Sequence, residues 1–469
     1  MAIPRNSGFQ IVRRLVRAAF LGAATLGGAS AAVGVISFGG ASGGDCQAAE
    51  KNGAAEKNGA AGKGREVRYL DADPATGTSA AVVVAPTAAL AHTGLILPVD
   101  ATDTVVAAGD AAAQAERVLG NLERALAAAG SSSQRMVRLN VYAADYPSLQ
   151  AARKQVAKAF SGEARPAATW IVTAQPRQDV LVTMDGVAVA PLPKPHRTDT
   201  QQIATFKADG LPSPHSLSHV SVMPPGEIYY ISGQLEKGQS LAEGVRNTMA
   251  GLHRTLEHFG LDPNQHVVQV KAFINPMEEA DEALKAIADS YQGESAPPVV
   301  LTEWQASIPG PTEIEMIAAK PMATKPRATD AAAPQADEAA RFLTPPWMTA
   351  SPVYSRAAVV RSAAHRGWVF VSGITGDPSV PAEQQAEQVF AVLKQLCERT
   401  GCDFNHLIKA TYYACDPSVS PALREVRPHY YNAERPPAAS LIHVRGVGAE
   451  EGIYTLDMIG VSVGPAEKR

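Results

Sequence analysis

The side chains able to do chemistry are scattered through this chain and form no familiar signature. No GxGxxG, P-loop, Ser-His-Asp elbow or HExxH occurs, so no nucleotide-binding, serine-nucleophile or zincin chemistry announces itself. His215 and His219 are four apart, but they fall on a loop leading into a strand with no third ligand nearby, and no metal is expected. His365 and His443 stand alone, as surface or satisfied core histidines do. Glu313 and Glu315 sit in the last strand of a repeat, where their types suit an edge or inter-unit ion pair. Arg153 and Arg424 lie in amphipathic helices, where long stems snorkel along the surface. Arg165 and Arg435 flank proline-led strands as surface charges or inward-reaching cations, and Trp170, Trp304, Trp347 and Trp368 lie in or near strands as packing residues.

The elements that must position these residues recur three times. A helix with apolar residues at helical intervals (Leu119, Leu122, Leu126; Val245, Met249, Leu252, Leu256; Val389, Val392, Leu396) ends at Gly130, Gly260 or Gly401, where a left-handed C-cap belongs. A strand follows (Met136 to Tyr142, Val267 to Ile274, Leu407 to Tyr413), then a turn holding Pro147, Pro276 or Pro417. A second helix leads into a strand opened by Pro166, Pro297 or Pro437, and a last strand closes each copy. Ahead of the first helix, a hairpin ends in Thr93-Gly94, Ser232-Gly233-Gln234 or Ser372-Gly373. Gly130 to Asp185 and Gly260 to Glu315 are each 55 positions apart and Gly401 to Asp457 is 56, a constancy that marks three copies of one unit. The unit reads β-β-α-β-α-β-β, in the α+β class. Its sheet carries helices on one face only, and two sister units can cover the other, so an intramolecular pseudo-trimer is expected in preference to three separate beads.

Copy 3 opens with Pro352-Val353-Tyr354-Ser355, copy 2 carries Ser232-Gly233-Gln234, and copy 2 closes with Glu313-Ile314-Glu315. In this order and spacing the motifs resemble the RidA/YjgF family, also known by the older names translation-initiation inhibitor and perchloric-acid-soluble endoribonuclease L-PSP. The resemblance runs over about residues 66 to 465, and copy 1 is the most divergent. It implies the chorismate-mutase-like fold, a trimeric arrangement with ligand clefts between neighbouring units, and no cofactor. It also implies deaminase chemistry on 2-imino or 2-enamino acids. In that chemistry an arginine fork holds the substrate carboxylate and a carboxylic group places the attacking water.

By that resemblance the arginine belongs where this chain has Ala168, Val299 and Ala439. The water-placing acid is Glu313 in copy 2 but Thr183 in copy 1 and Thr455 in copy 3, whereas Asp185 and Asp457 match a second, structural acid. The position of a pocket asparagine holds Arg153, Leu284 and Arg424, so Arg153 and Arg424 are candidates to return a cation to the clefts. The ligand-binding set is therefore Tyr354, Ser232, Gly233, Gln234, Ser372, Gly373, Arg153 and Arg424, with Glu313 as the catalytic candidate. The leading expectation is a binding module for a small metabolite without the standard deaminase chemistry. The alternative is an imine or enamine hydrolase acting in the cleft that contains Glu313.

The remaining features bound compartment and partners. Arg13, Arg14 and Arg17 precede an uncharged Gly/Ala-rich run to Gly44, the layout of an export signal over residues 1–49, with a twin-arginine character; an uncleaved membrane anchor is the competing reading. A tandem Glu-Lys-Asn-Gly-Ala-Ala tether spans 50–65. The copies then occupy 66–190, 201–320 and 342–465, with proline-rich linkers at 191–200 and 321–341. Lys+Arg 42 against Asp+Glu 46 gives a net charge of -4, which leaves no basic face for nucleic acid and fits poorly with a ribonuclease. The four cysteines show no paired spacing for zinc or a disulfide framework.

Overall fold

The computed structural model describes residues 66–193, 202–292, 296–305, 312–322 and 338–464; the expected export signal and tether, and most of both linkers, lie outside the described residues. Unit 1 contains β1 (Val67–Leu70), β2 (Ala81–Val84), β3 (Ala89–Thr93), α1 (Ala111–Ala128), β4 (Met136–Ala143), α2 (Tyr146–Ala159), β5 (Ala167–Val172) and β6 (Val182–Ala190). Unit 2 contains β7 (Ala204–Phe206), β8 (Val220–Met223), β9 (Gly226–Gln234), α3 (Leu241–His258), α4 (Pro263–His266), β10 (Val267–Ile274), α5 (Ala280–Ala288), β11 (Val299–Glu303) and β12 (Thr312–Pro321). Unit 3 contains β13 (Ala340–Leu343), β14 (Ala357–Arg361), β15 (Gly367–Ile374), α6 (Ala382–Thr400), β16 (Leu407–Ala414), α7 (Val419–Tyr430), β17 (Ala438–His443), β18 (Gly446–Val447) and β19 (Tyr454–Ser462). The third unit thus begins at Ala340, inside the stretch expected to be linker.

Local chemistry sets the helix ends. Asp110, Asp145 and Ser240 accept hydrogen bonds from the backbone N–H three residues on, capping α1, α2 and α3. Pro147 lies in the first turn of α2, where its missing N–H costs nothing, and not in the preceding turn. Gly130, Gly260 and Gly401 have φ of 71°, 73° and 75°, the left-handed caps their spacing predicts.

The expected hairpin ahead of each first helix is not formed. In all three units the strand pair that opens the unit leaves for a neighbouring sheet. β2 pairs antiparallel with β15 of unit 3, β8 with β3 of unit 1, and β14 with β9 of unit 2. The sheet orders are β1-β2-β15-β19-β16-β17, β11-β10-β12-β9-β14-β13 and β18-β5-β4-β6-β3-β8-β7. The exchange closes into a ring, and β18 of unit 3 adds a further crossing by pairing with β5. The reason the sequence misleads is physical: an exchanged strand makes the same antiparallel ladder with a sister unit that it would make at home, so nothing local records the choice.

Each sheet packs its helices on one face, through Leu122, Leu126 and Val156 in unit 1, Val245, Leu252 and Ile287 in unit 2, and Val389, Leu393 and Leu423 in unit 3. The other faces meet in a shared core that includes Val82, Leu90, Tyr230, Val268, Trp368 and Ile459. The central strands carry the same irregularity in every unit, between Met136 and Arg138, Val267 and Gln269, and Leu407 and Lys409. These bulges bury Val137, Val268 and Ile408 in the shared core. Each such side chain contributes about 1.5–3 kcal/mol by leaving water. Among the described residues, no helix is long and apolar enough to cross a membrane.

Candidate functional site

The boundary between units 2 and 3 gathers four of the predicted site residues, Ser232, Gly233, Glu313 and Tyr354. Ser232 Oγ accepts from the Ala439 N–H at 2.9 Å and donates to the Ser355 carbonyl, so the hydroxyl staples the two units. Beside it, a Cβ on Gly233 would overlap the Glu313 carboxylate, and only glycine leaves the acid room. Glu313 is half-buried, and burial followed by the charge of Glu315 pushes its pKa up to about 7, against the lowering effects of Ser440, Lys409 and Arg356. Ser440 donates to Glu315 at 2.6 Å and Lys409 pairs with it at 2.7 Å, so Glu315 takes the ion pair at this boundary. Arg356, which motif reasoning overlooked, stands 5.0 Å over the Tyr354 ring and donates to the Thr349 carbonyl at 3.2 Å.

Gln234 does not join this group. Its amide turns toward α3 and donates to Thr255 Oγ1 at 3.1 Å; the residue pairs with Ile314 of β12 just past a register shift between Ile314 and Met316. Arg424 is exposed on α7 and supplies no cation to a cleft. Arg153 is likewise no free cation: it donates to the Gly448 carbonyl at 2.6 Å and lies 4.8 Å over Trp170, clamping unit 1 to unit 3. Burial lowers its pKa. Both expectations fail for one reason, that helical periodicity does not say which exposed stripe a neighbouring unit will cover.

At the boundary of units 3 and 1, Ser372 Oγ accepts from the Ala168 N–H at 2.8 Å and donates to the Ser79 carbonyl at 2.5 Å, repeating the staple of Ser232. A Cβ at Gly373 would come within 2.7 Å of Thr455 Oγ1 and 3.3 Å of Thr169 Cγ2, and the Thr455 hydroxyl bonds the Ile374 carbonyl at 3.2 Å, so a threonine fills the position that Glu313 holds in unit 2.

The boundary of units 1 and 2 opens instead into a cavity of about 390 Å³. Gly94 and Val299 form its floor, with the Leu95 N–H donating to the Val299 carbonyl at 2.8 Å. Leu284 of α5 and the segment from Leu211 to His219 form its outer wall. Thr183, at the family acid position, bonds the Gln175 side chain at 3.0 Å. The two histidines considered as metal ligands diverge: His215 pairs with Asp281 at 2.8 Å, while His219 accepts from the Ala208 N–H at Nδ1 and donates from Nε2 to the Pro212 carbonyl at 2.8 Å.

A second polar assembly lies where the three sheets meet. Arg138 pairs with Asp457, Lys409 with Glu315, and Asp185 accepts from Asn140 and from Tyr142 at 2.7 Å. Lys271 donates to the Tyr413 hydroxyl at 2.6 Å, and burial lowers its pKa. Three cations thus meet three carboxylates, in charge balance, around a space of about 30 Å³. The sequence signal for this assembly was available: three otherwise apolar strands each carry polar residues at their third and fifth positions, Arg138 and Asn140, Gln269 and Lys271, and Lys409 and Thr411.

The profile of the family described as Endoribonuclease L-PSP matches residues 72–190 and 348–452. Protein DfrA of Myxococcus xanthus is 33% identical over 94 residues, spanning 20% of this chain and 71% of that protein. This chain belongs to the RidA/YjgF/L-PSP family. Among solved structures of the family, a Rid protein of unknown function from Yersinia pestis is 26% identical, with a TM-score of 0.25, and covers 26% of this chain and 98% of its own. A YjgF-family member from Mycobacterium tuberculosis is 26% identical, with a TM-score of 0.19, and covers 26% and 99%.

Proposed function

We propose that this RidA/YjgF protein is an exported small-molecule-binding module that uses clefts between its own units and lacks the standard deaminase chemistry. The observation that carries the reading is the triple loss of the carboxylate-binding arginine: Ala168, Val299 and Ala439 are all neutral. Neither replacement arginine is free to compensate, since Arg153 is bonded to Gly448 and Arg424 faces solvent. Without the fork, a 2-imino acid loses the contact that would orient it. Export is the further part of the proposal, carried by the Arg13-Arg14 leader; sequencing the native N-terminus tests it, and an intact Met1 would refute cleavage.

One observation favours a second reading in a single cleft. Glu313, with its pKa raised to about 7, suits an acid or base near neutral pH. The deciding experiment is ammonia release from short-lived 2-imino acids generated in situ, comparing the mature protein with Glu313→Gln. The binding reading expects no rate above buffer from either. A wild-type rate that disappears in Glu313→Gln would replace it with the hydrolase reading.

A further inference from the structure

The cavity between units 1 and 2 differs from the other two boundaries in chemistry as well as openness. At about 390 Å³ it lies in the size range of small-molecule sites, roughly 300–1,000 Å³. Val299 and Leu284 stand where the family places an arginine and an asparagine, and Ile96, Leu97, Leu217 and Leu301 extend the apolar lining. The polar side chains around it already have partners. Asn121 donates to the Leu97 and Val99 carbonyls, both at 2.9 Å, and Arg177 pairs with Asp103 at 2.7 Å. His219 is held at both ring nitrogens and Asp281 by His215. A charged ligand entering here would shed its hydration without gaining a counter-charge, whereas an apolar body would gain contact along the walls.

The outer wall is a strap that the sequence does not favour on its own. His215 and Ser216 both adopt the left-handed region, at φ of 52° and 61°, a conformation that strains residues bearing a side chain. The strap is held by the His215–Asp281 pair to α5 and by Ser213 Oγ donating to the Leu217 carbonyl at 2.6 Å. It presses Leu211, Pro212 and Leu217 against the cavity.

We infer that the cleft between units 1 and 2 is the operating ligand site and that it selects an uncharged, largely apolar small molecule against carboxylates. This inference rests on the binding reading above and narrows it to one cleft and one ligand class. The test uses prodan, an uncharged naphthalene ketone whose fluorescence shifts in apolar surroundings, titrated into the full chain. Competition follows with 2-acetylnaphthalene and 2-naphthoate, which share a ring system and differ in charge. The expected result is one saturable prodan site, displaced at least about tenfold more readily by the ketone than by the carboxylate. In Leu284→Arg, a substitution on a half-buried helix position, the preference should invert toward 2-naphthoate. Equal or better displacement by 2-naphthoate in the wild-type protein overturns the ligand class and leaves small-molecule binding intact. Unchanged prodan affinity and preference in a folded Leu284→Arg would overturn the assignment to this cleft. Failure of all three compounds to bind would overturn the inference and count against the binding reading as well. The wild-type competition decides the ligand class even where the variant does not fold.

Discussion

Glu313 and Arg138 show how the same chain treats buried charge in two ways. Glu313 is held by glycine-sized room and by neighbours that favour Glu315, so its carboxyl carries a proton up to about pH 7. A folded-state pKa above the unfolded value means that the folded state binds the extra proton. The associated stability is therefore present below about pH 4.5 and is lost as pH rises to about 7. Relative to the wild type, Glu313→Gln should be more stable at pH 8 than at pH 5 by about 1–2 kcal/mol, discounted for partial exposure, in paired thermal melts. A pH-independent difference would show that Glu313 is not shifted. Arg138 is instead fully committed to Asp457, with side-chain exposures of 12% and 1%. Arg138→Met alone should cost about 3–5 kcal/mol in urea unfolding because it strands the aspartate, and adding Asp457→Leu should recover most of that loss. Equal cost for the single and double variants would argue against the pair.

At the scale of elements, the governing fact is that strands leave their own units. β2, β8 and β14 each complete the sheet of a neighbour, and Val82, Val84, Val222 and Val360 are buried in doing so. The linkers are then not what holds the units together. A protease site inserted between residues 191 and 200 should, after cleavage, leave a particle of undivided mass in native size-exclusion chromatography, with fragments separating only in denaturant. Separation under native conditions would mean that the strand ladders do not bind the units. The paired strands are also the frame of the clefts: the exchange of β8 into the unit 1 sheet brings Gly94 to the His219 carbonyl at 2.9 Å and thereby places the strap over the cavity.

At the scale of the whole molecule, three similar units have become unequal. A homotrimer would present one boundary three times, whereas this chain has a boundary with Glu313, a boundary with Thr455 in the equivalent place and a clamped Arg153, and a boundary with an apolar cavity. Glu303 illustrates the interlocking. It takes a bidentate bond from Arg445 of unit 3 at 2.7 and 2.8 Å and accepts from the Ala174 N–H of unit 1 at 3.3 Å, so one carboxylate on β11 joins all three units. Glu303→Gln should lower the unfolding midpoint as a single cooperative transition, since no unit can melt without its neighbours' strands. Two resolved transitions in calorimetry would contradict that coupling.

The sequence by itself determined what short-range chemistry encodes. The three copies, their helices, the glycine caps and the absence of arginine at Ala168, Val299 and Ala439 are all readable from residue type and spacing, and the glycines stand in the left-handed region as that spacing requires. Ser232, Gly233, Ser372 and Gly373 stand out in the sequence as recurring motif positions expected to bind ligand, and in the structure they lie at unit boundaries, where the serine hydroxyl bonds the neighbouring unit and the glycine leaves room for the last strand's side chain. Only the tertiary structure decided which sheet each opening strand joins, because the competing ladders are equal in local energy. It alone turned Gln234 toward Thr255 and Arg153 onto Gly448, left Arg424 in solvent, and opened a cavity at the boundary of units 1 and 2. Those outcomes depend on volumes and partners brought together from far along the chain, and a side chain's own neighbours in sequence carry no record of them.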